Sequence, residues 1–185
     1  MGYNLYKEIN QRHFICYENV FDVNTLKEIE KISKRNIPIN DTGGNPQSPY
    51  KRNTTDIHQK SIPPLFMNSL DSSILKANEI FNFDLERILR VIYAEYPEKV
   101  SGLSWHMDTG GHPYNTRKIS FSINVNDSSE FEGGDLEFNN GNIEAPPQSI
   151  GSITIFPSFL LHRVAPVTKG VRKVIVGFIG GPPYK

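Results

Sequence analysis

The stretch Arg117-Lys118-Ile119-Ser120-Phe121-Ser122-Ile123-Asn124-Val125-Asn126 decides the fold class. An apolar residue occupies every second position from Ile119 to Val125, and serine or asparagine fills the places between. A β-strand turns successive side chains to opposite faces, so this is the pattern of a strand with one apolar face. Shorter runs of the same kind lie on both sides. Residues 86–96 contain a strand that stops near Pro97, and 134–138, 152–156, 160–164 and 172–179 are further candidates. Clusters of Gly, Pro and Asn separate them. Short strands broken in this way imply an antiparallel sandwich or barrel and not a parallel sheet.

Before residue 86 the texture changes. Leu26, Ile29 and Ile32 recur at helical spacing, with Asp22 or Asn24 available as an N-cap. Leu70, Ile74, Ala77 and Phe81 share a face of one or two helices within 65–83. Between these patterns, residues 36–64 are rich in Pro, Gly, Asn, Ser and Thr and read as one long loop. The expected architecture is mainly β with flanking helices: a double-stranded β-helix (a jelly roll, cupin-like) with an N-terminal helical buttress on one sheet. It forms a single domain over 1–185, helical to about residue 85 and β over about 86–182.

Composition bounds the function. A chain of 185 residues fits one domain and can bury a sizeable core. Its 20 basic and 20 acidic residues cancel, so no strong field draws it to nucleic acid or to a membrane surface. Cys16 is the only cysteine, which excludes an internal disulfide and a cysteine-built metal site and suits a reducing compartment. No apolar run is long enough to cross a bilayer, and residues 1–7 lack the apolar core of a signal peptide. The expectation is a soluble, cytoplasmic protein.

Three features carry chemistry. His106 and Asp108 stand two apart, so on extended chain both point to one face. His162 follows Gly151 and the apolar run 153–156 after a break at Pro157. A polar ring in such a strand needs a partner when buried, and a metal or a backbone carbonyl would serve. Two imidazoles and one carboxylate make the facial triad of non-haem Fe(II), which leaves coordination positions open. Singly each residue is weak evidence, because a lone histidine is more often a core or surface residue. Arg172 lies beyond the turn-forming residues 166–171, and a hairpin folding near Val167 would set it beside His162. Its rigid fork matches a carboxylate and stays charged when buried. The competing reading is a surface strand position.

Taken together and in order, the motifs resemble a known family. Glu95-Tyr96, His106-Met107-Asp108, Arg117-Lys118-Ile119-Ser120, Glu132-Gly133-Gly134-Asp135-Leu136-Glu137-Phe138, Phe156-Pro157-Ser158, His162-Arg163-Val164 and Pro166-Val167-Thr168-Lys169-Gly170-Val171-Arg172 are similar to the 2-oxoglutarate/Fe(II)-dependent dioxygenases, in their prolyl 4-hydroxylase-like branch. The likeness covers about residues 95–182. It is looser before that, where 20–32 and 77–85 resemble helices of the family. The resemblance implies that His106, Asp108 and His162 ligate Fe(II) and that Arg172 pairs with the distal carboxylate of 2-oxoglutarate. Tyr96 would line the co-substrate pocket, with Tyr93 as the alternative. Ser120 would border the pocket and donate a hydrogen bond. Asn124 takes a place where some relatives carry a tyrosine that touches the distal carboxylate, and Thr168 sits near a family turn position.

The implied reaction hydroxylates an unactivated C–H bond with O₂ while 2-oxoglutarate is decarboxylated to succinate, with ascorbate as a possible supporting reductant. The branch points first to a prolyl or other residue of a protein or peptide. A free amino acid or small metabolite is the alternative substrate, and a non-catalytic jelly-roll binding module is the alternative class. Glu132-Gly133-Gly134 reads as a fold marker, since paired glycines permit positive φ and close packing. Trp105 reads as core, Arg163 as facing away from the site, and His112 as a loop residue. His13 and His58 have no identifiable partner. Substrate choice is expected to rest on 36–64 (with Tyr50, Lys51 and Arg52), 109–116 and 139–148.

Overall fold

The computed structural model describes residues 13–42, 47–99 and 101–184. In chain order the elements begin with β1 (Ile15–Tyr17), α1 (Val23–Ser33), β2 (Ile39–Asp41), β3 (Arg52–Asp56) and α2 (Pro64–Phe81). There follow β4 (Arg87–Pro97), β5 (Leu103–His106), β6 (Arg117–Asn124), β7 (Phe131–Gly133) and β8 (Leu136–Asn139). The last are β9 (Ile143–Glu144), β10 (Ile153–Pro157), β11 (His162–Val164) and β12 (Val167–Gly180). Asp22 caps α1, its Oδ1 accepting from the backbone N–H of Asn24 and Thr25. Pro64 opens α2, and Asn82 ends it in the left-handed region at φ 53°.

The strands form two antiparallel sheets. The major sheet runs β1-β10-β6-β12-β4-β3-β2, with β7 on the first residues of β12. The minor sheet runs β5-β11-β8-β9. Both helices lie against the major sheet. Leu26, Ile29, Phe66, Leu70, Ile74 and Ala77 pack with Val91, Ile119, Ile123, Ile153 and Ile175 in one buried cluster. A second cluster fills the space inside the jelly roll, built from Phe14, Ala94, Leu103, Phe138, Phe156 and Val174 among others. The architecture is the jelly roll with a helical buttress that the strand pattern implied. Among the described residues no helix is long and apolar enough to cross a membrane.

Alternation in β6 has a different meaning from the usual one. Ile119, Phe121 and Ile123 meet the helical cluster, as an apolar face should. The polar set does not meet solvent: Ser120, Ser122 and Asn124 are 1%, 7% and 5% exposed. They point into the jelly roll, so the strand is buried on both faces and its polar side belongs to an internal site. The segment 36–64 also departs from expectation. It is not one loop, because β2 and β3 add two strands to the edge of the major sheet beyond β4. Their polar residues, such as Asn40, Asp41 and Arg52, show no period-2 apolar pattern, because an edge ladder is held by backbone hydrogen bonds and needs none.

The expected hairpin near Val167 is likewise absent. Residues 167–180 are one strand, which carries Gly170 at φ 72° without turning back. β11 and β12 lie in different sheets, and the chain changes sheet at Ala165-Pro166.

Gly151 ties the layers together. Its carbonyl accepts from the N–H of Val20 and Phe21, and its own N–H donates to Asn124. Its φ is 75°, and a Cβ there would collide with the Phe21 carbonyl oxygen. The Phe21 ring in turn packs on Phe66 of α2, centroids 4.6 Å apart. Gly151→Ala is expected to cost more than about 2 kcal/mol, combining the positive-φ penalty with the clash, which lowers Tm by roughly 4–8 °C. Gly110→Ala, which meets nothing within 4 Å, should leave the melting curve in place. Differential scanning calorimetry of the two variants checks both statements.

Candidate metal centre

β5 and β11 pair so that His106 and His162 stand directly opposite each other. Their ring centroids are 4.2 Å apart. The chain leaves β5 at His106, and two residues on Asp108 turns its carboxylate back between the rings. Asp108 Oδ1 lies 3.6 Å from His106 Nε2, and Oδ2 lies 3.4 Å from His162 Nε2. One ligand atom from each residue falls within 4.8 Å of the others. Among the described residues no other group of three His, Cys, Asp or Glu side chains converges in this way.

Hydrogen bonds prepare these groups for a cation. His106 Nδ1 is 2.7 Å from the Ser104 carbonyl oxygen, and His162 Nδ1 is 2.8 Å from that of Leu160. A carbonyl only accepts, so both Nδ1 atoms carry hydrogen and both Nε2 lone pairs face the centre. Burial pushes the His162 imidazole down to about 4, against the pull of Asp108, so the ring is neutral at pH 7. Burial would raise the Asp108 carboxyl, but the charge that the His162 and His106 rings take up in acid and the Ser120 hydroxyl outweigh it and keep it well below the usual carboxylate range. Two imidazoles and an ionised carboxylate are the donors a divalent transition metal takes.

The loop carrying Asp108 is itself held. The N–H groups of Asp108 and Thr109 both donate to the Ser158 carbonyl, at 2.8 and 3.2 Å. Arg117 Nη1 donates to the Asp108 carbonyl at 3.0 Å. Ser120 Oγ and Ser158 Oγ are 2.9 Å apart, which joins the floor of the site to the turn before β11. Trp105 and Arg163 lie on the other face of the minor sheet, where the Arg163 guanidinium sits 4.8 Å from the Trp105 ring centroid and pairs with Glu137 at 2.6 Å.

Arg172 faces the triad across the same cavity, with Tyr96, Ser120, Leu136 and Phe156 among the shared walls. It is 2% exposed. Nε donates to Gln148 Oε1 at 3.0 Å and Nη2 to Asn124 Oδ1 at 3.2 Å. Gln148 is oriented by donating its own amide to Asp135 Oδ1. Gly134 lets the arginine stem pass, since a Cβ there would stand 2.9 Å from Arg172 Cδ. Burial lowers the guanidinium pKa, opposed by Tyr96 and Asp135, yet an arginine stays charged. Among the described residues no carboxylate lies within 4.0 Å of it. A buried cation with only neutral acceptors is incomplete without an anion.

The structure thus brings His106, Asp108, His162, Arg172, Tyr96 and Ser120 into one cavity. It does not bring Tyr93 there. Tyr93 packs in the helical cluster, on the opposite face of β4 from Tyr96, with its hydroxyl donating to Glu95. Asn124 touches Arg172 and is buried inside the site. Thr168 is exposed and donates to the Glu132 carbonyl. His58 caps the short turn 59–61. Sequence reasoning missed Gln148, Ser158 and the depth of Arg52. The first two act through contacts distant in sequence that no local pattern announces.

Fold and site define a class, a jelly roll with a two-histidine, one-carboxylate centre inside it. Residues 91–180 match the family model described as the 2OG-Fe(II) oxygenase superfamily. That stretch holds the triad and Arg172, and it belongs to this superfamily. A PKHD-type hydroxylase of Synechococcus sp. (strain CC9902) is 33% identical over 138 residues, 72% of this chain and 55% of the relative. The chain spans about half the length of the curated relatives it matches. A Pseudomonas putida prolyl-4-hydroxylase has a similar fold, with TM-score 0.73 and 15% identity over 95% of this chain and 96% of that one. So does a Trichoplax adhaerens prolyl hydroxylase solved with a hypoxia inducible factor peptide fragment, with TM-score 0.72 and 14% identity over 94% and 86% of the two chains.

Co(II) titration tests the centre directly. The wild-type protein should bind one ion per chain with visible d–d absorption. Asp108→Ala or His162→Ala should weaken binding by about 100-fold or more, with the circular dichroism spectrum retained.

Proposed function

We propose that residues 1–185 act as one Fe(II)- and 2-oxoglutarate-dependent dioxygenase domain that hydroxylates a residue of a protein or peptide, prolyl in the first instance. The observation that carries this reading is the buried Arg172 in the same cavity as the triad, with no carboxylate within 4.0 Å among the described residues. A metal-binding module has no use for such a cation. A dioxygenase whose co-substrate is a dicarboxylate needs one. The family match and the peptide held by the Trichoplax adhaerens relative support the reaction class and the kind of substrate.

His106, Asp108 and His162 would hold Fe(II), and their donor set fits it. Iron, 2-oxoglutarate and O₂ together supply the oxidation, one oxygen atom entering the C–H bond while the 2-oxo acid loses CO₂ and becomes succinate. The residues of this chain bind and orient. The carbonyls of Ser104 and Leu160 fix the two rings, so coordination requires little reorganisation. Arg172, steadied by Gln148 and Asn124, takes the distal carboxylate. A monoacid would leave that charge unpaired, which disfavours it by several kcal/mol on the scale of broken buried pairs, about 3–5 kcal/mol. Leu103, Phe156 and Val174 keep the walls apolar, which strengthens the ionic contact and limits water.

Incubation with Fe(II), 2-oxoglutarate and O₂ should yield succinate, faster when a proline-containing peptide is present, and the peptide should gain one oxygen atom by mass. His162→Ala should give none. Arg172→Ala should raise the half-saturating 2-oxoglutarate concentration at least 30-fold, the equivalent of about 2 kcal/mol or more for a truncated buried charge pair. Full succinate formation by His162→Ala would remove the assignment. Stimulation by free amino acids but by no peptide would remove the peptide substrate.

A further inference from the structure

Arg52 lies in the same cavity as the triad and has no part in the scheme above. β3 carries it alongside β4. Asn53 pairs with Glu95 and Thr54 with Ala94, so the register continued by one residue sets Arg52 opposite Tyr96 and on the same face. Arg52 Nη1 donates to Tyr96 Oη at 2.8 Å. Its Nε and Nη2 both donate to Asp41 Oδ2, at 3.0 and 2.9 Å, across the β2–β3 pair. Its side chain is 11% exposed. The guanidinium is therefore anchored by Asp41 and aimed at one phenol.

The direction of that bond matters. A guanidinium has donors only, whereas a phenol has one O–H and an oxygen that accepts. Arg52 can engage Tyr96 only through the phenolic oxygen, so the phenolic proton must go elsewhere. Among the described residues no acceptor takes it. Tyr96 is 1% exposed and lines the cavity between Arg52 and Arg172, whose guanidinium carbons stand 5.9 and 5.7 Å from its ring centroid. A buried donor without an acceptor costs about 1–3 kcal/mol, and an anionic oxygen placed in the cavity removes that cost.

We propose that Arg52, held by Asp41, is a positioning residue that makes Tyr96 an obligate hydrogen-bond donor to a carboxylate of the bound 2-oxo acid, and so makes the β2–β3 pair part of the co-substrate site. The inference rests on the dioxygenase reading. It also gives the edge strands a task, since without Arg52 the Tyr96 hydroxyl is free to rotate and present its lone pairs to the ligand.

Anaerobic titration of the Fe(II)-loaded protein with 2-oxoglutarate, followed by the visible charge-transfer band of the chelate, tests the relay without turnover. Tyr96→Phe and Arg52→Met should each weaken binding about tenfold. The double variant should bind within twofold of Tyr96→Phe, because Arg52 acts through the hydroxyl that Phe lacks. Arg52→Lys, which keeps a cationic donor, should recover most of the affinity. A further tenfold loss from Arg52→Met in the Tyr96→Phe background would make Arg52 an independent structural element and overturn the proposal. So would unchanged affinity in Tyr96→Phe, a variant that deletes one buried oxygen and leaves the packing intact. Absence of the band in the wild-type protein, with Co(II) binding intact, would overturn the dioxygenase reading itself and this inference with it.

Discussion

Two hydrogen bonds of the same design organise the centre. Each histidine gives its Nδ1 proton to the carbonyl two residues earlier, His106 to Ser104 and His162 to Leu160. The bond fixes the ring's tautomer and its rotation about χ2 in one stroke. It relies on backbone alone, so it forms wherever the strand ends at the right residue. Strand pairing does the rest by placing the rings opposite each other. Asp108 then needs only to be turned inward, and the Ser158 carbonyl holds its backbone to do so. The centre depends on three backbone carbonyls before any second side chain is counted.

Around that centre the major sheet plays two parts. Its outer face is apolar and carries the helices. Its inner face bears Ser120, Ser122, Asn124, Arg172 and Tyr96, groups that would be expensive to bury without partners. Ser120, Asn124, Arg172 and Tyr96 bond to one another and to Ser158, Ser152, Gln148 and Arg52, and the Arg172 charge and the Tyr96 hydroxyl proton are left for an anion in the cavity. Stability comes from the helix side and specificity from the polar side. The helical layer lets a sheet with a polar inner face remain folded.

The sequence made the centre more legible than its surroundings. His106 and Asp108 declare themselves by their spacing, and His162 by its place in an apolar run. Arg172 was found in the right company for the wrong reason, since β11 and β12 belong to different sheets and meet across the cavity, not through a hairpin. The choice between Tyr93 and Tyr96 was open to a parity argument. They are an odd number of residues apart on one strand, so only one can face Arg172, and Arg172 pairs with Tyr96. Strands β2 and β3 left no apolar signature because β2 is the exposed edge and β3, between β2 and β4, is built from Arg52, Asn53, Thr54, Thr55 and Asp56. Gln148 was illegible for a different reason. It lies in an irregular segment and reaches Arg172 by a side-chain contact 24 residues away.

Gly134 sets a limit on how this cavity can change. Its missing Cβ is the space through which the arginine stem runs, with Val167 Cγ2 equally close on the same side. Any larger residue there would press on the arginine stem and on Val167, and one of them would have to shift. The place of the arginine stem is therefore written in the smallest residue beside it. The anchor end of the cavity is thus shaped by a side chain that is absent, and remodelling it meets position 134 as a limit of space and not of chemistry.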